Sequence, residues 1–197
     1  MKRLLRKYAW YISAALILVG YVMFFRTAQV NGTSMQPTYD PADLLLVWRT
    51  ESVNRGDIIV IYNEQLRELL CKRVIGVAGD HVVIDSYGLM INDEPVTEDY
   101  VIRQDWYSSS AKVDIVVPDG ELFAMGDNRP VSNDSRALGC MAISDLTGVV
   151  IWNVTKTIGV RRDTLISIVT LLIVGSIGYE VVSKLRGSSD NNTETSE

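Results

Sequence analysis

Leu69-Leu70-Cys71-Lys72-Arg73-Val74-Ile75-Gly76-Val77-Ala78-Gly79-Asp80-His81-Val82-Val83-Ile84 (residues 69–84) holds two short apolar runs on either side of a Gly-Asp turn signal. Runs of this length, bounded by Gly and Asp, read as strands rather than helices. The pattern continues outward in both directions. Upstream, residues 44–48 and 58–62 flank Arg55-Gly56-Asp57. Downstream, Gly79-Asp80 follows a strand-length run at 74–77, Tyr87-Gly88 follows the run at 82–84, and Pro118-Asp119-Gly120 closes the run at 113–117. No amphipathic helical stretch of useful length interrupts residues 28–160. Many short strands with turns at this spacing predict a mostly β domain, an antiparallel barrel or sandwich. Residues 86–112 are more polar and less regular, with Ser108-Ser109-Ser110 inside, and read as a cap or insertion.

Two apolar segments bracket that domain. Residues 8–25 are eighteen positions without a charge. As a helix they reach roughly 27 Å, close to the hydrocarbon thickness of a bilayer. Lys2, Arg3, Arg6 and Lys7 make residues 1–7 a basic end, and Tyr8, Trp10 and Tyr11 follow. That order predicts a transmembrane anchor with its N-terminus in the cytoplasm. A cleavable signal peptide is the rival reading, but Phe24-Phe25-Arg26-Thr27 has no small-x-small cleavage pattern. The second segment, 164–182, is broken only by Glu180. Lys156, Arg161 and Arg162 before it outnumber Lys184 and Arg186 after it, which opposes an exit to the cytoplasm. The first helix usually dominates orientation, so a second span is expected, with an interfacial helix as the alternative. Residues 187–197 are polar and acidic and read as a disordered tail.

The chain of 197 residues, 47% of them hydrophobic, suits one modest domain with one or two membrane segments. Residues 27–160 hold 10 Lys/Arg and 19 Asp/Glu. A domain this acidic does not grip a phosphate backbone, so nucleic acid is excluded as a partner. Cys71 and Cys140 are too few for a disulfide framework or a zinc site. They pair only if they meet in space; otherwise Cys71, in its apolar run, is a buried thiol. No metal or cofactor site is indicated.

Three stretches carry groups suited to chemistry. Gly32-Thr33-Ser34-Met35-Gln36-Pro37-Thr38 begins just beyond the first apolar segment, and its Ser34 follows that segment by nine residues. By itself a serine between Gly and Pro is a plain turn. Lys72 lies in an apolar run, where an ammonium is expensive to bury; the bland alternative is a strand with Lys72 on its wet face. The third stretch, residues 126–136, crowds Asp127, Asn128, Arg129, Ser132, Asn133, Asp134, Ser135 and Arg136 behind apolar Leu122-Phe123-Ala124. Alone it is a solvated loop with an Asp–Arg pair. A serine nucleophile needs a base. His81 is the sole histidine, and no serine motif stands beside it. A lysine serves instead when apolar surroundings bring its pKa down. A fall of two units costs roughly 2.7 kcal/mol, which a folded domain can supply.

Taken together and in this order, the motifs resemble bacterial type I signal peptidase, the leader peptidase family. The Ser-Met-x-Pro-Thr box is Ser34 to Thr38. The Gly-Asp-Ile/Val box is Gly56-Asp57-Ile58. The Lys-Arg-Val-Ile-Gly-x-x-Gly-Asp box runs from Lys72 to Asp80, and the Gly-Asp-Asn-x-x-x-Ser-x-Asp-Ser-Arg box from Gly126 to Arg136. The resemblance covers the first helix to about Trp152. It implies a membrane-bound serine endopeptidase of the extracytoplasmic face, removing signal peptides from exported preproteins after small, Ala-x-Ala-like residues. It implies Ser34 as nucleophile through an acyl-enzyme and Lys72 as general base. Ser132 would orient the lysine, and the Ser34 backbone N–H would donate to the oxyanion. Arg73, Asp127, Asp134 and Arg136 would form a supporting ion-pair frame. Met35 and Pro37 would shape the turn presenting Ser34. Substrate would lie extended along Gln29, Val30, Asn31 and Gly32 and along Leu69, Leu70 and Cys71.

One position departs from part of that family. Some members carry a serine two residues before the nucleophile whose hydroxyl completes the oxyanion hole; here it is Gly32. Loss of such a donor costs on the order of a hundredfold if nothing replaces it. The endoplasmic reticulum branch has histidine in place of the lysine, so Lys72 implies a bacterial-type enzyme. Asn31-Gly32-Thr33 and Asn133-Asp134-Ser135 are glycosylation patterns within the expected site, which also disfavours a eukaryotic secretory setting. Self-cleaving repressors share serine–lysine chemistry, but they carry a DNA-binding domain in place of an anchor. A membrane-tethered binding module without turnover is the non-enzymatic alternative; an inactive relative would be expected to have lost Ser34 or Lys72.

Overall fold

The computed structural model describes residues 2–101 and 112–159. The expected segments at 164–182 and 187–197 lie outside the described residues, as does part of the expected cap. Eleven strands are present in the described chain: β1 (Phe25–Gln29), β2 (Leu44–Trp48), β3 (Ile58–Asn63), β4 (Glu68–Val77), β5 (His81–Asp85), β6 (Gly88–Ile91), β7 (Glu94–Pro95), β8 (Val113–Val116), β9 (Glu121–Met125), β10 (Met141–Ala142) and β11 (Leu146–Asn153). They form a seven-stranded sheet in the order β1-β2-β11-β3-β4-β9-β10 and a four-stranded sheet in the order β7-β6-β5-β8. Every recorded pairing is antiparallel.

Alternation sets which faces are buried. In β2, Leu45 and Val47 are buried while their neighbours are partly or fully open, as expected of a strand with one face on the core. In β3, Ile59, Val60 and Ile61 are all buried, so this central strand is covered on both faces. One core cluster joins Ile59, Ile61, Val74, Leu122 and Ala124 within the large sheet. A second joins Ile75, Val82, Ile84, Leu89, Phe123 and Met125 where β4 and β9 meet the small sheet. Each fully buried side chain of this size contributes about 1.5–3 kcal/mol. β11 is inserted between β2 and β3 and bulges beside Gly148, where φ is 150° and a Cβ would lie 2.1 Å from the Trp48 carbonyl oxygen. Only glycine fits there.

Three expectations change in detail. The strand expected at 74–77 begins earlier, at Glu68, so Lys72 lies inside β4 rather than ahead of it. The polar stretch 86–112 starts as regular structure, since β6 and β7 belong to the small sheet. The first helix, α1, runs Lys2–Phe24, and Phe25 already starts β1. Over the described residues no helix is long and apolar enough to cross a membrane. The backbone of α1 nonetheless covers 23 residues. Its described apolar side chains Leu16, Ile17, Leu18, Val19, Val22, Met23 and Phe24 are each at least 50% exposed. Along the described side chains, these residues face away from the β domain's core.

Candidate active site

Ser34 sits in the turn between β1 and β2, and Lys72 in the first half of β4. The fold brings them together: Lys72 Nζ lies 3.0 Å from Ser34 Oγ. Lys72 is only 3% exposed. Burial lowers its pKa below the usual 10.5; Asp134, then Cys71 and Glu68, pull it part of the way back, and Arg136 pushes it down. Among the described residues Lys72 has no salt-bridge partner.

The arginines near the site are paired instead. Arg73 grips Asp127 with two bonds, Nε to Oδ1 at 2.9 Å and Nη2 to Oδ2 at 2.7 Å. Arg136 holds Asp134 in the same two-pronged way, at 2.8 and 2.9 Å. The expected frame of four charges is therefore two separate bidentate pairs. Burial tends to raise the Asp134 pKa, but the Arg136 bonds and charge outweigh it and hold the carboxyl below its usual 3.8. The Gly126 N–H adds a bond to Asp134 at 3.0 Å.

Ser132 behaves differently from expectation. Its buried Oγ has no partner in hydrogen-bonding geometry among the described residues, Lys72 included. It lies close enough to Asp134 to help keep that carboxylate ionised, yet short of a well-formed bond. The hydroxyl is thus open to a new partner.

An open cleft of about 660 Å³ runs away from the Ser34–Lys72 pair. Residues 27–34 form one wall and residues 68–72 the other. Both walls are strand edges. Among the described residues β1 is paired with β2, and β4 meets β9 only from Arg73 onward, so that no described strand pairs with its 68–72 half on that side. Gln29, Val30, Asn31, Gly32, Leu69, Leu70 and Cys71 all line the cleft. Met35 and Pro37 do not: Met35 is fully buried beneath the turn, and Pro37 is exposed beside it. At Gly32, φ is 96° and a Cβ would meet nothing within 4 Å. The Ser34 backbone N–H donates to no group among the described residues.

Other groups take no part in the pair. Cys71 and Cys140 are both free. Burial pushes the Cys71 thiol up to about 12, so it is silent at neutral pH. His81 lies in the small sheet with Nε2 2.8 Å from Asp114 Oδ1. No group of three His, Cys, Asp or Glu among the described residues is arranged to hold a metal.

Several supporting residues were not legible in the sequence. Arg129 is 1% exposed and its guanidinium holds Glu98, itself 4% exposed. Thr38 Oγ1 donates to Asp127, and the Arg73 guanidinium lies 3.9 Å from the centre of the Tyr100 ring. Asn128 reaches across to the Ser34 turn through its backbone N–H and its side-chain amide. Thr38, Asn128 and Arg129 lie within or beside the quoted motifs, but the partners they meet do not follow from local pattern; Glu98 and Arg129 are 31 positions apart.

A hydroxyl against a desolvated amine, at the head of a cleft walled by the β1 and β4 segments, is equipped to attack a carbonyl in an extended peptide. That places the chain among the peptidases. The family model described as "Signal peptidase, peptidase S26" matches residues 2–155, and the chain belongs to that family. Similar proteins include Signal peptidase I U of Bacillus subtilis (strain 168), 34% identical over 68% of this chain and 78% of that one. Signal peptidase I of Streptococcus pneumoniae serotype 4 (strain ATCC BAA-334 / TIGR4) is 30% identical over 72% and 89%. A solved signal peptidase I from Enterococcus faecalis V583 is 27% identical, covering 51% of this chain and 97% of its own, with a TM-score of 0.45.

Proposed function

We propose that this chain is a membrane-bound serine endopeptidase that removes N-terminal signal peptides from exported preproteins, with Ser34 as nucleophile and Lys72 as general base. The observation that carries the reading is the 3.0 Å contact between Ser34 Oγ and a lysine amine that is 3% exposed and shifted toward neutrality. Neutral Lys72 takes the hydroxyl proton as Ser34 Oγ attacks the scissile carbonyl carbon. The negative charge gathers on the carbonyl oxygen, where the Ser34 N–H donates. Collapse breaks the C–N bond, and the departing amine takes the proton from Lys72. Lys72 then deprotonates a water that cleaves the ester. Ser132, with its uncommitted buried hydroxyl, orients the amine during these transfers. Arg73 with Asp127, and Asp134 with Arg136, hold the surrounding loops.

Substrate adds as a strand between the edges of β1 and β4, which gives affinity through main-chain bonds. The small residues of an Ala-x-Ala-like site would lie against the cleft lining, which includes Val30 and Leu70. The outward-facing apolar side chains of α1 suit lipid, and the basic residues 2–7 suit the cytoplasmic surface. Ser34 then lies near the outer face of the cell membrane, within a catalytic domain of residues 28–160 on the extracytoplasmic side. A second anchor at 164–182 completes this topology. The acidic domain takes no nucleic acid.

The test is processing of a precursor with an Ala-x-Ala signal peptide in detergent by wild type, Ser34→Ala, Lys72→Ala and Ser132→Ala. Wild type should cut after the Ala-x-Ala site, and the first two variants should fail while folded. Normal cleavage by Lys72→Ala would overturn the lysine base. Access of a label to residue 34 from the cytoplasmic side alone would overturn the topology.

A further inference from the structure

The Ser34 N–H belongs to a peptide unit whose other end is the Thr33 carbonyl. The unit is trans and planar, so its N–H and C=O point in opposite directions. Whatever fixes the Thr33 oxygen therefore fixes the aim of the Ser34 N–H. Thr33 O accepts from Gln36 N–H at 3.2 Å within the turn and from Asn128 Nδ2 at 3.1 Å from a separate loop. On the far side of Ser34, the Ser34 carbonyl accepts from the Asn128 backbone N–H at 2.9 Å. Asn128 thus holds both carbonyls flanking the Ser34 side chain.

Asn128 is itself rigidly placed. On one side Asp127 is fully buried and locked to Arg73; on the other, Arg129 is 1% exposed and bound to Glu98. The loop cannot drift without disturbing two charge pairs. A turn bond alone leaves the Thr33–Ser34 unit free to rock about its flanking dihedrals; a second bond from outside the turn removes that freedom. The consequence matters more here because Gly32 supplies no hydroxyl. If the unit flips, the Thr33 lone pairs replace the N–H at the place where negative charge develops.

We propose that Asn128 is a positioning residue: its side-chain amide sets the Thr33–Ser34 peptide so that the Ser34 N–H stands preorganised as the oxyanion donor. The proposal rests on Ser34 acting as the nucleophile. Preorganised donors of this kind are worth about 10²–10³ in kcat when lost outright. Removing the anchor leaves the donor in place for part of the time, so a loss of roughly 10- to 100-fold is expected.

The experiment uses the full chain in detergent with an Ala-x-Ala peptide substrate, measuring kcat and KM across pH for Asn128→Ala and the isosteric Asn128→Asp, with thermal melts. Both variants should fold, lose kcat and keep KM within twofold, and Asn128→Ala, which adds no charge near Lys72, should keep the wild-type midpoint of the pH profile. A kcat within threefold of wild type in both overturns the proposal. So does a loss accompanied by a shifted midpoint in Asn128→Ala or by a proportionate rise in KM, and so does failure of both to fold. Ser34→Ala separates the two levels. If it remains active, the nucleophile assignment itself fails; if it is dead while the Asn128 variants are normal, only the positioning role fails.

Discussion

Gly126→Ala tests how tightly the loop and the nucleophile are packed. Gly126 is buried, and its carbonyl accepts from Arg129 Nε at 2.9 Å. A Cβ at this position would lie 2.5 Å from the Ser34 carbonyl oxygen, 2.3 Å from Ser132 Oγ and 2.6 Å from Ser132 Cβ. Ordinary contact begins at 3.4 Å, so the Ser34 oxygen stands about 0.9 Å too close. Ser132 has a short side chain and can turn. The Ser34 oxygen is main chain and is held by Asn128 N–H, so the backbone of the nucleophile must move. A misplacement of about 1 Å costs on the order of 10²-fold in rate. Overpacking of this kind destabilises by about 1–3 kcal/mol, which lowers Tm by roughly 2–12 °C for a chain of this size. The assay is kcat on an Ala-x-Ala substrate beside a thermal melt, with Gly76→Ala as the comparison. There the added Cβ meets the far ends of Val82 and Val117 at 2.7 and 3.2 Å, in the core between the sheets. Gly76→Ala should lower Tm and leave kcat nearly intact. A Gly126→Ala protein that melts lower but turns over within threefold of wild type would refute the reasoning, because the loop would then yield without moving Ser34.

Activity should rise from mildly acid to alkaline pH as Lys72 becomes neutral. Because Glu68 raises the Lys72 pKa, Glu68→Gln should move the midpoint of that rise to lower pH, as read from kcat/KM profiles. Lys72→Met should abolish activity yet increase stability near neutrality. The folded pKa is below the unfolded 10.5, so the buried ammonium penalises folding at low pH. Between the two values folding releases a proton, and wild-type stability rises with pH until the gap to Lys72→Met stops narrowing above about 10.5. Urea unfolding at pH 6 and pH 10.5 measures this, and a wild type more stable than Lys72→Met at pH 6 contradicts it. Glu98→Gln takes the carboxylate from a fully buried guanidinium and should destabilise by about 3–5 kcal/mol, read from thermal and urea melts.

Much of the fold was legible where a strand is uniformly apolar or cleanly bounded. β2 was read with its observed limits, 44–48, because Pro41 and Asp43 precede it and polar residues follow Trp48. β4 was read short because Glu68 and Lys72 interrupt its apolar run. In the structure that interruption is the site, since the strand turns Lys72 inward next to Ser34. β11 lies between β2 and β3 although about a hundred residues of chain separate it from β2, and local periodicity carries no such information. The chemistry shows the same division. Ser34 and Lys72 stand inside long, specific boxes, and the structure brings them within 3.0 Å of each other. Glu98 stands in no box and meets Arg129 31 positions away, and although Asn128 lies inside the last box, its hydrogen bonds to the Thr33 and Ser34 carbonyls join distant parts of the chain that local sequence does not connect.

The distribution of charge around Ser34 explains why the lysine, and not a neighbouring arginine, is fitted to hold a movable proton. Three cationic side chains crowd a site in an acidic domain. Arg73 and Arg136 are each neutralised by a buried carboxylate in two-pronged contact, which holds them charged and fixed. Lys72 receives the opposite treatment. It is buried as deeply, but Asp134 reaches it only through space, and no carboxylate among the described residues bridges it. Pairing would have stabilised the ammonium; burial without pairing destabilises it. The same two carboxylates that could have captured the lysine proton are therefore occupied by arginines, and their pairs also brace the loop from which Asn128 reaches the nucleophile. On the proposed reading, structural ion pairs and the general base are one arrangement: with Asp127 and Asp134 held by arginines, Lys72 is left unbridged and its amine can give up a proton and take one back.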